Sequence, residues 1–371
     1  MRSVPVKIVL QSPVLLAATP PTFNLVETLP FIPGNTLRGI FARKYLETGN
    51  ANDMLFQQLF LSTDVKFGFA RRDGAQSIPL SARSCKYDGG FRHDTDKHGV
   101  VDLLLAGDGE IRCSYRRSPN RDVCNQAIDY FQGFWSSAHY QKVSVETRLI
   151  TRTAIDPSRG TARTSQLYSQ RVLEEGQTFC ATVEAPDELA VHLAGLLTLP
   201  FTARLGTGTS RGQGWVTVSL GDAITLNWDP VAVRFAEFQK RDTKERRLLA
   251  VTLLSDGLFH DDYLRDTTAP SLEDLRSLGI EPVQWNAKFA KAYMDTRLVF
   301  GFDGEPLSLP RQPRLAVVAG STFLFVAQDS ISQPTLPSGQ GIGWIGDNNR
   351  EGYGQVVLWH PFHLWPDGKD V

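Results

Sequence analysis

The chain has 371 residues, 42% of them apolar and 21% charged, with a formal net charge of −1. That length suggests two domains, each able to bury its own core, and the composition is that of an ordinary globular chain. A near-zero net charge excludes indiscriminate polyanion binding, so any nucleic-acid contact must come from local clusters of basic residues. The cysteines Cys85, Cys113, Cys124 and Cys180 form no CxxC pair. They are too sparse for a disulfide scaffold and fit a reducing cytoplasm.

Val4, Val6, Ile8 and Leu10 alternate as one face of a first strand. The apolar run that follows, Val14 to Ala18, is short and stands behind Gln11 and Pro13, so it does not read as a signal peptide. No stretch approaches the roughly 18 apolar residues of a membrane span. A Pro-rich loop leads to a helix over about 35–47, with Leu37, Ile40, Phe41 and Tyr45 at helical spacing. Asn35 or Thr36 is placed to cap it, and Gly49 lies just past its end. Residues 71–125 are polar with little periodicity and read as an irregular insertion. Strand-like alternation returns over 142–183, broken by the turn-rich stretch 155–160. A helix over about 187–198 follows, then the loop Leu205 to Gly214 and a strand from Trp215 to Leu220.

The composition turns charged between 225 and 245, and a new strand starts at Leu248. The second half ends as the first does: a glycine-rich loop, Gly339 to Gly354, enters a strand from Gln355 to Trp359. Recurrence of that pattern about 140 residues apart is a weak internal repeat. It divides the chain into 1–225 and 226–371.

Glycine permits positive φ, so successive backbone N–H groups can converge on an anion and a polynucleotide backbone can approach without Cβ clashes. Gly206, Gly208, Gly212 and Gly214 are interleaved with Thr207, Thr209, Ser210 and Arg211, whose hydroxyls and guanidinium add donors. Neither loop is a P-loop, because the required lysine is missing. Gly341-Ile342-Gly343-Trp344-Ile345-Gly346 matches GxGxxG, yet it leads to Asn348, Asn349, Gly352 and a strand rather than a helix. That is not the dinucleotide fingerprint. The HRD and DFG motifs of a kinase are absent.

Phe31-Ile32-Pro33-Gly34-Asn35-Thr36-Leu37-Arg38-Gly39 resembles the helix entry of the RAMP superfamily, the repeat-associated RNA-binding proteins of CRISPR systems. Arg152 to Asp156 and Ala162 to Gly176, with Leu167 and Tyr168, resemble its central hairpin, and Leu205 to Val216 its glycine-rich loop. Gly341 to Val356 resembles the second such loop of two-domain members. The resemblance covers most of 1–220 and about the last 35 residues. It implies an α+β fold of two ferredoxin-like (RRM-like) domains with glycine-rich loops and an insertion in the first. It also implies a non-catalytic guide-RNA-binding subunit of a type III effector complex. The two-domain layout is most like the capping subunit of type III-D systems, which holds the repeat-derived 5′ tag. The implied partners are guide RNA, other RAMP backbone subunits, the large polymerase-like subunit and, indirectly, target RNA, in the cytoplasm and without a membrane.

The RNA-binding candidates follow from this reading. Asn35, Thr36, Arg38, Arg43 and Lys44 lie on the first helix, whose N-terminus can accept a phosphate. Segment 142–171 holds six basic residues (Lys142, Arg148, Arg152, Arg159, Arg163, Arg171) against Glu146 and Asp156, a local net of +4. Arg204 and the loop Gly206, Thr207, Gly208, Thr209, Ser210, Arg211, Gly212 and Gly214 come next. Trp344, Asn349, Arg350, Gly352, Tyr353 and Gly354 complete the set, and Trp215, Trp344 and Tyr353 are the expected stacking platforms for bases.

The alternative is a RAMP endoribonuclease that processes guide RNA or cuts target RNA. Histidines 93, 98, 139, 192, 260, 360 and 363 all lie away from the first helix, where processing members place a general base. His192, Asp73 and Asp156 are the remaining candidates, and turns use aspartate for their own reasons. A third reading is a glycine-rich hairpin protein that binds a small anion or a protein. Cys85, His93, His98, Cys113 and Cys124 could supply four zinc ligands. Their spacing is loose, with Arg121 rather than cysteine three residues before Cys124, so a metal-free insertion is expected. His260-Asp261-Asp262 reads as a turn.

Overall fold

The computed structural model describes residues 1–18, 24–92, 96–106, 111–116, 122–136, 140–156, 158–159, 161–222, 228–242, 244–301, 311–328, 335–337 and 339–364. Of 154–156 and 161–166 it describes the backbone alone. The class is mixed α+β, mostly strands with four α-helices among the described residues.

In chain order, the first half contains β1 (Arg2–Leu10), α1 (Gly34–Tyr45), α2 (Met54–Phe60) and β2 (Lys66–Phe67). Three insertion strands follow: β3 (Ala82–Cys85), β4 (Val100–Asp102) and β5 (Ile128–Tyr130). The long hairpin β6 (Thr147–Asp156) and β7 (Thr161–Leu173) comes next, then β8 (Thr178–Ala185), α3 (Asp187–Leu196), β9 (Phe201–Arg204) and β10 (Trp215–Leu220). The second half contains α4 (Val231–Gln239), β11 (Leu248–Leu253), β12 (Lys291–Tyr293), β13 (Thr322–Val326), β14 (Ile342–Trp344) and β15 (Gln355–Leu358).

The alternation in β1 is real: Val4, Val6, Ile8 and Leu10 are buried, and the strand pairs antiparallel with β8 on one side and β10 on the other. Its sheet runs β9-β10-β1-β8-β2. Leu37, Ile40 and Phe41 of α1 and Ala190 and Leu193 of α3 share its core. Residue Pro33, rather than Asn35 or Thr36, caps α1, and it does so without a side-chain hydrogen bond. Proline needs no N–H at that position, and its extended backbone (ψ 149°) feeds the helix directly.

The second sheet runs β14-β15-β11-β13-β12, the same positional order as the first. Every residue of β11 is buried, because both faces of this central strand are covered. The helix α4 stands where the sequence suggested only a charged stretch. Its Arg234 is 1% exposed and donates to the carbonyl oxygens of Trp359 (2.9 Å), Asp229 (2.8 Å), Leu358 (2.9 Å) and Gln340 (2.6 Å). Four acceptors satisfy the fork of the guanidinium. Burial still pulls its pKa down, to about 10.

The insertion is not irregular. Strands β3, β4 and β5 form one small sheet, and Gln76–Ser77, Phe134–Ser136 and Gln141–Val143 form another. Ile78, Ala82, Phe91, Val100, Phe131 and Trp135 build its core around Phe362, from the far end of the chain. Short strands contribute one or two inward residues each, too few to show a period in sequence. The insertion also binds the second half through polar groups. His363 Nδ1 donates to Asp102 Oδ2 at 2.6 Å, and His363 Nε2 lies 2.9 Å from Thr252 Oγ1. Tyr293 donates to the Leu103 carbonyl at 3.1 Å, and the Leu80 N–H to the Gly320 carbonyl at 2.8 Å.

His360, beside Trp135 and Trp228, is fully buried. Desolvation, then the nearby His363 and Arg234, push its pKa well below the ordinary value of 6.5. The unfolded chain therefore takes up a proton below about pH 6.5 that the folded chain refuses. This part of the stability is complete above that pH and falls, by up to about 1.4 kcal/mol per pH unit, on acidification. Asp102 acts lower. Burial opposes its charge, but His363 outweighs burial and holds the carboxyl below 3.8, so its contribution is lost only in more acidic solution. Chemical denaturation between pH 7 and about pH 4.5 should show the His360 slope. His360→Asn keeps an acceptor for the Phe362 N–H, now 3.0 Å from His360 Nδ1, and should flatten it. An unchanged slope would assign the pH dependence to other groups.

Candidate nucleic-acid interface

The loop from Leu205 to Gly214 is fixed at its base and open at its tip. The Leu205 N–H donates to the Gly214 carbonyl at 2.9 Å. The Thr207 and Gly214 N–H groups donate to the Leu15 and Pro13 carbonyls, each at 2.9 Å, just beyond the end of β1. Gly206, Gly208, Gly212 and Gly214 have φ of +77°, +75°, +82° and +83°. Two of them cannot be replaced in space either: a Cβ at Gly206 would overlap the Leu15 carbonyl, and one at Gly214 the Leu205 carbonyl. Thr209, Ser210 and Arg211 make a single 3₁₀ turn between two left-handed glycines.

Gly206, Thr207, Ser210, Arg211 and Gly212 are exposed on the outer surface of this loop. The antiparallel register sets Arg204 opposite Trp215, and the guanidinium lies over the indole at 4.0 Å. Trp215 remains 37% exposed. Arg211 Nη1 donates to the Tyr168 hydroxyl at 2.9 Å, which ties the loop to β7 of the long hairpin. Two arginine–aromatic pairs thus flank a loop of exposed backbone and hydroxyl groups. That combination can hold phosphates and stack bases. Tyr168 was only a landmark in the sequence, and its proximity to Arg211 depends on how the hairpin lies across the sheet.

The hairpin is less basic than its sequence. Arg148 pairs with Glu175 at 3.1 Å and Arg171 with Glu27 at 2.9 Å, both acids from outside the stretch 142–171. Glu146 pairs with Arg72 at 3.4 Å. Arg152 is half-buried and has no ion-pair partner among the described residues. The side chains of Arg163 and Asp156 lie outside the described residues.

The second loop has a different setting. Asn349–Glu351 form a 3₁₀ turn that packs against α1 and β2 of the first half. Glu351, 3% exposed, pairs with Arg38 Nη2 at 3.4 Å and Arg311 Nη1 at 3.3 Å. Desolvation lowers the Arg38 pKa, and Glu351 opposes that shift. Arg350 donates to the Leu61 carbonyl at 3.1 Å, and Asn349 to the Ile345 and Tyr353 carbonyls, each at 3.0 Å. Trp344, 7% exposed, donates to Glu184 Oε2 at 2.8 Å, with Lys66 over its ring, while Tyr353 packs edge-on against Phe69. Gly352 and Gly354 are buried with them. These rings are therefore packing residues in the contact between the halves, not open platforms. The same contact covers the start of α1, where Gly34 is buried against the Phe67 and Glu351 carbonyls and Asn35 and Thr36 are half-buried. Of the α1 candidates Arg43 is exposed, and Lys44 pairs with Glu47 at 2.5 Å.

Of the nuclease candidates, His192 is exposed on α3, and Asp73 holds a left-handed turn position (φ +49°) beside Arg72 at 3.3 Å. The insertion brings Cys85, His98, Cys113 and Cys124 together, whereas His93 lies outside the described residues. Among the described residues no helix is long and apolar enough to cross a membrane.

The chain is mixed α+β, and its first glycine loop is exposed and flanked by Arg204 and Arg211. The family model of the RAMP superfamily matches residues 7–217, more than half of the chain, and the protein belongs to that superfamily. No curated protein matches it. Its fold is similar to a chain of the type III-B Cmr-beta complex bound to cognate target RNA and AMPPnP, at 13% identity and a TM-score of 0.45, over 87% of this chain and 86% of that one. A chain of a type IV-B CRISPR complex is 12% identical over 62% of this chain and 94% of its own, with a TM-score of 0.31. Pyrococcus furiosus Cmr4 (Cas7) is 11% identical over 60% of this chain and 100% of its own, with a TM-score of 0.28.

Proposed function

We propose that this RAMP protein is a non-catalytic, guide-RNA-binding subunit of a type III CRISPR effector complex, and that it grips RNA with the first glycine loop. The observation that carries this reading is the exposed surface built by Arg204 over Trp215, the loop Gly206 to Gly212, and Arg211 on Tyr168. The shared strand order of the two sheets supports two ferredoxin-like domains, 1–225 and 226–371. The two-domain layout favours the capping subunit that holds the 5′ tag and meets the large subunit. Backbone RAMP subunits and target RNA are then its further neighbours, in the cytoplasm.

In this reading the second loop is a structural counterpart of the first, turned inward to join the halves. Capture of the tagged chain from its own host, with sequencing of bound RNA, tests the role. Short RNAs sharing one fixed 5′ segment are expected, together with a polymerase-like large subunit. Absence of RNA from the captured material would sink the reading. In a salt titration with such an RNA, Arg211→Glu should weaken binding and reduce the salt slope by about one. An unaltered slope would remove Arg211 from the interface.

A further inference from the structure

Cys85, His98, Cys113 and Cys124 are far apart in sequence, and no two of them form a tight ligand pair. Four pieces of backbone nevertheless aim them at one point. Cys85 closes β3, and His98 precedes β4 with its N–H on the Asp88 carbonyl at 2.9 Å. Cys113 and Cys124 lie on paired segments: the Cys113 N–H donates to the Gln126 carbonyl at 2.9 Å and the Cys124 N–H to the Tyr115 carbonyl at 2.9 Å. All four ligand atoms lie within 4.8 Å of one another.

The spacing of those atoms is informative. Zinc–sulfur bonds of about 2.3 Å and zinc–nitrogen bonds of about 2.0 Å, at the tetrahedral angle, give edges of about 3.8 Å between sulfurs and about 3.5 Å between sulfur and nitrogen. Cys85 Sγ and Cys124 Sγ are 3.9 Å apart, and Cys113 Sγ is 3.5 Å from His98 Nδ1. All four cysteines of the chain are free thiols. The surroundings match as well. The other imidazole nitrogen, His98 Nε2, faces Asp88 Oδ2 at 3.7 Å, and the ring stacks on Tyr115 at 4.2 Å. A carboxylate behind a histidine ligand fixes its ring and its tautomer.

We infer that these three cysteines and one histidine bind a structural zinc ion, held as a closed Cys₃His site. Four protein ligands leave no position for a substrate, so the site is a staple rather than a catalytic centre. Its place in the fold gives the staple a purpose. The insertion has a small core of its own, and small modules often need a metal to hold them. The sheet β3-β4-β5, which the ion closes at one end, carries at β4 the Asp102 that pairs with buried His363 in the second half. Zinc thus holds the module that joins the two halves.

The test is elemental analysis of the full chain purified without chelator. About one zinc per chain is expected. Cys113→Ser and His98→Ala should each reduce it to near zero, while Cys180→Ser, on β8 outside the cluster, should leave it unchanged. Wild-type chain refolded with cobalt should show the visible absorption of a tetrahedral thiolate site, so the outcome does not depend on variants that fold. Zinc at background in the wild-type chain, iron or copper in its place, or a Cys85–Cys124 disulfide in the purified protein would each overturn the inference.

Discussion

Trp215→Ala is expected to weaken binding of single-stranded RNA by about 1–3 kcal/mol, the worth of one base stacked on an aromatic ring. The indole is 37% exposed, held under the Arg204 guanidinium at the mouth of the first glycine loop. Its loss removes a stacking surface and frees Arg204, while the core beneath, Val216 and Val218, stays intact. The melting temperature should therefore change little. The matching substitution in the second loop behaves in the opposite way. Trp344→Ala removes a buried ring and the Glu184 bond, at a cost of about 3 kcal/mol or more in stability. Titration of both variants against the same RNA, with a thermal melt of each, separates the two roles. A Trp344→Ala protein that is stable but fails to bind RNA would reverse the assignment of the loops.

Arg38→Glu is expected to destabilise the chain by about 3 kcal/mol, the lower part of the range for disrupting a buried ion pair. Glu351 is 3% exposed and pairs with both Arg38 and Arg311. A second carboxylate in place of Arg38 leaves both acids in a contact that water barely enters. The sequence places Arg38 among the RNA-binding candidates of the first helix, whose N-terminus can accept a phosphate. The structure assigns it to the contact between the halves. Denaturant unfolding of the variant, read against Arg38→Met, checks this. Equal stability of Arg38→Glu and the parent chain would show that the contact contributes little.

The parts of the fold that were legible in sequence are those in which one face is buried and the other wet. The first strand shows its alternation because solvent covers one side of the residues between Val4 and Leu10. The fully buried β11 carries no such pattern, and only its apolar run marked it as a strand. The insertion defeated the same reasoning, since its core residues sit one or two per short strand and Phe362 comes from the far end of the chain. Helix α4 was hidden by Arg234, whose charge suggests a surface although the side chain is buried and its donors are taken by carbonyl groups. At the candidate site, the two glycine loops look alike in composition. Which of them is open depends on what packs against each, and local sequence does not encode that. The antiparallel register that stacks Arg204 on Trp215 was within reach, because a hairpin closed at Leu205 and Gly214 sets those two residues opposite one another. The metal cluster was out of reach, because its ligands converge only after the insertion has folded.

The central claim is that RNA lies on the first glycine loop. Ultraviolet crosslinking of the native chain with its own bound RNA, followed by peptide mapping, tests it most directly. The account predicts crosslinks to Trp215 and Tyr168, with Trp344 and Tyr353 unmodified. Crosslinks confined to the second loop, or a chain that carries no RNA to crosslink, would contradict it.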